Sequence, residues 1–126
     1  MKKIIVTDKA PGAIGPYSQA VQAGDFLFAS GQIPLDPATG ELITGSVEDQ
    51  ARRVLENVKG LLEAAGYTME NVVKALVFVT DINDFAAING VYAQYFTDTP
   101  PARSFVAVRD LPKGAKLEIE VVAWKG

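Results

Sequence analysis

Apolar residues recur every three or four positions between Ser46 and Gly66, a spacing that predicts one long amphipathic helix. Ser46 is followed three positions later by Asp49, a variant of the capping box that opens helices, and Gly66 is placed to end this one. The apolar stripe comprises Val47, Ala51, Val54, Leu55, Val58, Leu61, Leu62 and Ala65. We therefore expect this helix to lie with one face on a core.

A second helix is predicted from about Asp84 to Phe96. Its apolar side comprises Phe85, Ile88, Tyr92, Tyr95 and Phe96. Between the two helices, the segment Val72 to Thr80 is apolar at both alternating sets of positions except at Lys74. A continuous apolar run of this length predicts a central strand that is covered on both faces.

Shorter runs along the chain predict the remaining strands. They lie at residues 3–7, 15–21, 26–30, 103–108 and 116–124. Gly24-Asp25 is a turn that joins the second and third runs as a hairpin, and residues 31–40 form a loop rich in turn residues. The segment from Asp110 to Gly114 connects the last two strands.

This order of elements predicts a single α+β domain, in which two helices cover one face of a mixed sheet. The other face should then be polar, yet the central strand is apolar on both sides, and Val122 and Trp124 share a side with Glu118 and Glu120. A soluble protein usually buries such a face against copies of itself. We therefore predict a homo-oligomer whose sheets form the interior.

Composition narrows the chemistry that the chain can perform. The 126 residues include no cysteine and no histidine, which excludes disulfides, cysteine nucleophiles, zinc sites with sulfur or imidazole ligands, and Ser-His-Asp triads. Catalysis must then use carboxylates, Lys, Arg, Tyr, Ser, backbone groups or water. The net charge of −3, with basic residues scattered along the chain, disfavours a nucleic-acid partner.

The N-terminal residues argue against a targeting segment. Met1-Lys2-Lys3 is followed by only three apolar residues, Ile4 to Val6, which is too few for a signal-peptide core. No run approaches the roughly 20 apolar residues of a membrane span. We expect a cytoplasmic protein with no membrane partner.

Arg103 is the first candidate for chemistry. It follows Pro100-Pro101 and opens a predicted strand, so its planar, permanently charged guanidinium is held at a rigid position that suits a carboxylate or phosphate. The alternative is a surface arginine in an ion pair. Alternation along the strand places Arg103 and Phe105 on one face and Ser104 on the other.

Glu118 is the second candidate and shares a strand face with Glu120. If the last two strands pair through their short connection, a glutamate and Arg103 reach one cleft, which would join a carboxylate anchor to a general base. The alternative is a salt bridge within the sheet. Spacing along the chain favours neither interpretation.

Three further positions carry weaker signals. Tyr17 is either a core aromatic or a pocket wall, and the backbone at Ser30-Gly31 ends a strand where N–H groups can meet an anion. Asn89 lies either on a plain helix surface or against a neighbouring subunit. No glycine-rich phosphate loop is present in the sequence.

Several motifs occur along the chain in a fixed order. They are Gly15-Pro16-Tyr17-Ser18-Gln19-Ala20, Ser30-Gly31-Gln32-Ile33-Pro34 with Thr39-Gly40-Glu41, Val77-Phe78-Val79 with Asp81-Ile82-Asn83-Asp84-Phe85, and Pro101-Ala102-Arg103-Ser104 with Leu111-Pro112-Lys113 and Glu118-Ile119-Glu120. In order and spacing, from about residue 4 to residue 123, these motifs resemble the reactive-intermediate deaminase (RidA, formerly YjgF) family.

The resemblance implies a chorismate-mutase-like α+β fold and a homotrimer with a central barrel and clefts between subunits. It also implies hydrolysis of enamine or imine products of pyridoxal-phosphate dehydratases to 2-keto acids and ammonia, with no metal or cofactor in this protein. Such 2-imino acids would be its small-molecule partners. A protonated imine is already a strong electrophile, so positioning and one carboxylate base suffice for its hydrolysis.

The resemblance also implies roles for residues at matching positions. Arg103 would hold the substrate carboxylate, and Glu118 would orient or deprotonate the attacking water. The other residues implied to form the site are Tyr17, Ser30, Gly31, Lys59, Asn89, Ser104 and Phe105, with Lys59 the weakest of them and the contacts at Gly31 and Phe105 made by the backbone.

Phe105 departs from the family pattern, because many members carry cysteine there. Its larger side chain is expected to narrow the pocket or change the substrate preference. A non-catalytic module that binds 2-keto acids in the same clefts is an alternative to the enzyme. RNA cleavage and translation inhibition are also assigned within the family, and the acidic charge and the lack of histidine disfavour them here.

Overall fold

The computed structural model describes residues 1–126 as one six-stranded mixed sheet with two helices on one face. The strands lie side by side in the order β1-β2-β3-β6-β4-β5. Their bounds are β1 Lys3–Ile5, β2 Ala20–Ala23, β3 Phe26–Gln32, β4 Val72–Val79, β5 Ala102–Ala107 and β6 Leu117–Trp124, and the helices are α1 Val47–Ala64 and α2 Phe85–Tyr95. The predicted α+β class, with both helices on one side of a mixed sheet, is confirmed.

Helix α1 begins and ends as its sequence predicts. The Ser46 hydroxyl accepts a hydrogen bond from the Asp49 amide at 3.1 Å, and the Asp49 carboxylate accepts one from the Ser46 amide at 3.4 Å. Gly66, with φ +83°, follows the helix in the left-handed conformation that glycine tolerates. The middle of the apolar stripe, from Ala51 to Leu62, is fully buried against the sheet, and its two end residues, Val47 and Ala65, are partly buried.

Strand β4 is interior, as predicted, and lies between β5 and β6. It pairs in parallel with β5, with α2 as the crossover, and antiparallel with β6. The condition under which Arg103 and a glutamate would share one cleft, pairing of β5 with β6, is therefore not met. Their connection passes over the end of β4, where the Val108 amide donates to the Val79 carbonyl at 2.7 Å and the Thr80 amide donates to the Lys116 carbonyl at 3.2 Å.

The two faces of the sheet differ in burial. On the helix face, Ala75 and Val77 of β4 are fully buried. On the open face, by which we mean the sheet face that the helices do not cover, Phe28 is 48% exposed, Trp124 46% and Val106 43%. The predicted coverage of β4 is thus present on one face only within a single chain.

The segment 15–19 is a loop instead of the predicted start of a strand, and β2 begins at Ala20. The physical reason is Gln19, whose buried side-chain amide binds the N-terminal segment. Its Nε2 donates to the carbonyls of Thr7 at 3.0 Å and Pro11 at 2.8 Å, and its Oε1 accepts from the Thr7 amide at 2.9 Å. Neither helix of the fold has the length and apolar character needed to cross a membrane.

Candidate active site in two halves

Arg103 lies on β5 and turns towards α2. The register pairs Arg103 with the buried Ala75, so its side chain is on the helix face at the edge of the sheet. Its Nη1 donates to the Asn89 Oδ1 at 2.8 Å. Together with Tyr92 and Pro101, these residues line a cavity of about 330 Å³, which we call the arginine half-site.

Aromatic rings surround the guanidinium of Arg103. Its Cζ lies 4.7 Å from the ring centroid of Tyr92, 5.4 Å from that of Phe105 and 5.8 Å from that of Phe85. The rings of Phe85 and Phe105 meet edge to face at 4.7 Å. Such contacts stabilise a cation without neutralising it.

No carboxylate neutralises Arg103. The only salt bridge of the chain joins the exposed Arg109 and Asp110, so the alternatives of an ion pair and of a salt bridge within the sheet are both wrong for Arg103. The bond to Asn89 is the one hydrogen bond of a guanidinium that carries five N–H donors. The half-buried cation therefore keeps free donors for an anionic ligand.

Glu118 lies on β6 and belongs to the open face. The register pairs it with Phe78, whereas its neighbours Leu117 and Ile119 are buried on the helix face. Its cavity of about 580 Å³ is the glutamate half-site. Other residues lining it include Tyr17, Ser30, Gly31, Gln32, Lys113 and Glu120.

An irregularity in β3 shapes this second cavity. Ala29 pairs with Val121 and Gln32 with Ile119, so two residues of β3, Ser30 and Gly31, oppose one residue of β6. Such a bulge bends the strand and removes a residue from the ladder. The Ser30 hydroxyl donates to the Ser18 carbonyl at 2.6 Å, which fixes the loop that carries Tyr17.

Gly31 leaves room for the carboxylate of Glu118. A Cβ at this position would collide with Glu118 Oε2 and would lie 2.7 Å from its Cδ. Because Gly31 is not among the glycines with positive φ, the position requires a small residue for space and not for backbone conformation. The pair Gly31 and Glu118 thus forms one unit of the site.

The carboxyl group of Glu118 favours its neutral form more than an ordinary glutamate does. Burial raises its pKa, and the like charge of Glu120 raises it further. The Glu118 carboxylate has no hydrogen-bond or salt-bridge partner in the chain. An unpaired carboxylate with a raised pKa is a suitable proton acceptor.

Asn57 is a supporting residue that the sequence analysis missed. It is fully buried on α1, and its Nδ2 donates to the carbonyl of Leu35 at 2.9 Å, which holds the loop that lines the glutamate half-site. Arg53 donates to the Asn57 Oδ1 through Nε at 3.2 Å and through an Nη at 3.0 Å. The signal available in the sequence was an amide inside the apolar stripe of α1.

The remaining predicted residues are spread over the chain. Tyr17 is 53% exposed in the glutamate half-site, so it is not a core aromatic. Ser104 pairs with Leu76 on the open face. Lys59 lies on α1 in a separate depression beside Tyr95, and it lines neither half-site.

The two half-sites do not meet within one chain. Arg103 is on the helix face and Glu118 on the open face, and β4 lies between their strands. Neighbouring strands are about 4.8 Å apart, so β5 and β6 are separated by about 10 Å. The expectation that Arg103 and a glutamate share a cleft through paired strands is therefore wrong for a single chain.

Comparisons with known proteins agree on one family. A family profile described as Endoribonuclease L-PSP matches residues 7–125. A RutC family protein of Pyrococcus horikoshii is 55% identical over 125 residues, which are 99% of each chain. An Escherichia coli protein with the provisional name reactive intermediate deaminase TdcF is 56% identical over 126 residues, covering 98% of this chain and 97% of that protein.

Solved structures show the same likeness. The crystal structure of Escherichia coli TdcF with bound serine has a TM-score of 0.94 and 54% identity, covering 98% of this chain and 99% of that chain. The structure of the YjgF gene product of Escherichia coli has a TM-score of 0.94 and 50% identity, with coverage of 98% and 99%.

Proposed function

This chain belongs to the YjgF/RidA family, described in its profile as Endoribonuclease L-PSP, and we propose that it hydrolyses 2-imino acids to 2-keto acids and ammonia. Its relatives support the general function of a reactive-intermediate deaminase. The proposed substrates are 2-iminobutanoate and 2-iminopropanoate, the imine forms of enamines that pyridoxal-phosphate dehydratases release. Each carries a carboxylate next to the reacting C=N bond.

The unpaired Arg103 is the observation that carries the proposal. A half-buried guanidinium with one bond to Asn89 and no carboxylate partner keeps its charge and its donors available. A carboxylate binds such a group through two parallel charge-assisted hydrogen bonds. The serine bound to TdcF is likewise a small molecule with a carboxylate next to the carbon that bears nitrogen.

Glu118 supplies the base in this mechanism. A water molecule attacks C2 of the protonated imine, and the Glu118 carboxylate accepts a proton from that water. Glu118 then returns this proton to the amine nitrogen of the tetrahedral adduct. The C–N bond breaks, its electron pair leaves with ammonia, and the C2 hydroxyl gives up its proton to the Glu118 carboxylate as the C=O bond of the keto acid forms. Since the imine is already electrophilic, the residues only hold the carboxylate, orient the water and move the proton.

We place each complete site between two copies of the chain. One copy contributes Arg103 and its neighbour contributes Glu118, because a substrate of this size cannot span the two faces of one sheet. The exposed apolar residues of the open face support the association, and a homotrimer with the open faces inside satisfies both observations. Its clefts then join one arginine half-site to one glutamate half-site.

A coupled assay tests the proposed reaction. A threonine or serine dehydratase generates the imine, semicarbazide traps it, and release of the keto acid is compared with and without this protein. Faster keto acid release, lost in Arg103→Ala, supports the deaminase. Binding of the keto acid without any acceleration would contradict it and would favour the non-catalytic binding module.

A further inference from the structure

Tyr92 is buried beneath the arginine that the proposed function uses. It lies on α2, is 5% exposed, and its ring is the nearest of the three that surround the Arg103 guanidinium, at 4.7 Å. A second ring, that of Phe96, packs against Tyr92 at 4.6 Å and fixes its orientation. We propose that Tyr92 is a positioning residue, whose ring holds the plane of the Arg103 guanidinium ready for the substrate carboxylate.

Tyr92 and Asn89 act on Arg103 from the same side of one helix. They are three residues apart on α2, a spacing that places two side chains on one helix face. The centre of the Tyr92 ring lies 4.7 Å from the guanidinium carbon, and the Asn89 Oδ1 accepts from Nη1 at 2.8 Å. These two contacts restrain the guanidinium and leave its other N–H donors for a ligand.

The hydroxyl of Tyr92 has no part in this arrangement. It is buried and has no hydrogen-bond partner in the chain. Burial raises the pKa of Tyr92 above its usual value, although the charge of Arg103 acts in the opposite direction. The phenol therefore stays neutral, and the contact is that of a cation with an aromatic ring instead of an ion pair with a phenolate.

Holding the guanidinium before the ligand arrives lowers the entropy cost of binding. An arginine side chain loses much rotamer freedom when it is fixed, and a free arginine would lose this freedom on binding the substrate. With Tyr92 and Asn89 in place, part of that cost is met during folding. Removing the Tyr92 ring is thus expected to weaken binding of the carboxylate and to change the rate of the chemical step little.

The test compares Tyr92→Leu, which removes the ring, with Tyr92→Phe, which keeps it. Because the proposal rests on the proposed function only for the identity of the ligand, binding of the stable product 2-ketobutanoate is measured by calorimetry beside KM and kcat. We expect Tyr92→Leu to raise Kd and KM by about 3- to 30-fold, with kcat within about threefold of the parent protein. Tyr92→Phe should bind like the parent.

Tyr67→Leu is the matched control. Tyr67 is also a buried tyrosine below a cation, at 5.1 Å from Lys125, and lies outside both half-sites. Its loss should lower the melting temperature and leave the Kd of the folded protein unchanged. If Tyr92→Leu does not fold, Tyr92→Met replaces it as a flexible apolar filler.

Two results would overturn the proposal. One is unchanged 2-ketobutanoate binding in the folded variant without the ring, and the other is equal weakening in Tyr92→Phe, which would assign the effect to the hydroxyl. In an Arg103→Ala background the loss of the ring should cause no further weakening. A parent protein that binds 2-ketobutanoate but does not accelerate imine hydrolysis would remove the deaminase and leave the role of Tyr92 standing.

Discussion

The two half-sites hold opposite charges by different means. In the arginine half-site, aromatic rings and one amide surround Arg103, and its orientation is fixed although its charge is not neutralised. In the glutamate half-site, Glu118 has no partner, and its position depends on the space above Gly31. Contacts with neighbouring side chains thus hold Arg103 in place. Glu118 can occupy its position because Gly31, opposite it, has no side chain.

This difference separates binding from chemistry. A guanidinium with a fixed orientation is suited to binding the same carboxylate in the substrate and in the product. A carboxylate without hydrogen bonds is free to accept a proton and to release it again. Both half-sites are incomplete alone, since each has hydrogen-bonding capacity that its own chain does not use. The comparison thus predicts that damage to one half lowers binding and damage to the other lowers turnover.

Arg103→Ala should have the largest effect. It removes the charged anchor, and truncating one partner of a close charge pair costs about 3 kcal/mol, which is about a 100-fold loss of kcat/KM in the coupled assay. Arg109→Ala is the matched control, because Arg109 is highly exposed and pairs only with Asp110. Equal losses in the two variants would show that general charge and not the anchor matters.

Glu118→Gln should affect turnover and spare binding. Loss of a general base is expected to lower kcat by about 100-fold, while the Kd of 2-ketobutanoate stays within about threefold, since Arg103 is intact. Pre-steady-state rates and calorimetry measure the two quantities separately. Weakened binding with normal turnover would reverse the assignment of the two halves.

The same variant should be more stable at neutral pH. A carboxyl whose pKa is higher in the folded than in the unfolded chain gives stability that is present at low pH and lost as pH rises through the folded-state pKa. Glu118→Gln removes this loss. Its melting temperature should exceed that of the parent at pH 7, and the difference should vanish on acidification. A gap that widens at low pH would contradict the raised pKa.

Gly31→Ala should have an intermediate effect. The new Cβ collides with the end of a flexible side chain and not with backbone, so the chain should fold while the Glu118 carboxylate moves. We expect kcat to fall about 10-fold, within the range that small misplacements of catalytic groups cost. Gly12→Ala is the control, because nothing lies within 4 Å of its added Cβ. Full activity in Gly31→Ala would show that the placement of Glu118 is unimportant.

Glu120→Gln should have the smallest effect. Removing this like charge lowers the pKa of Glu118, so the acid limb of the kcat profile should move to lower pH with the plateau unchanged. Glu41→Gln, which removes an exposed carboxylate on a loop, serves as the control. If the acid limb of the kcat profile does not move, a group other than Glu118 is responsible for that limb.

Local patterns predicted the elements well, and long-range pairing was the point of failure. Ser46, Asp49 and the apolar stripe determine α1 through contacts within a few residues of each other. The short connection between β5 and β6 suggests that these two strands pair with each other. In the structure, the crossover through α2 places β5 on one side of β4, and β6 pairs with the other side. A shared cleft for Arg103 and a glutamate within one chain depended on pairing of β5 with β6, and β4 separates these strands.

Site residues differed in how visible they were in the sequence. Arg103 was marked by the prolines before it, whereas Tyr92 looked like any core aromatic on an apolar helix side. Its second role depends on the register that brings Arg103 over its ring. Residues that act through another side chain leave no pattern of their own along the chain.

Complementation between subunits tests the central claim most directly, namely that each site combines Arg103 of one copy with Glu118 of another. Arg103→Ala and Glu118→Gln chains, each inactive alone, are co-expressed with different tags, and the mixed oligomer is purified through both. In a mixed trimer, only the cleft that joins Arg103 of a Glu118→Gln chain to Glu118 of an Arg103→Ala chain is intact, so about a third of the clefts are restored. The account predicts recovery of activity to that level, and a purified mixed oligomer that stays as inactive as its parents would contradict it.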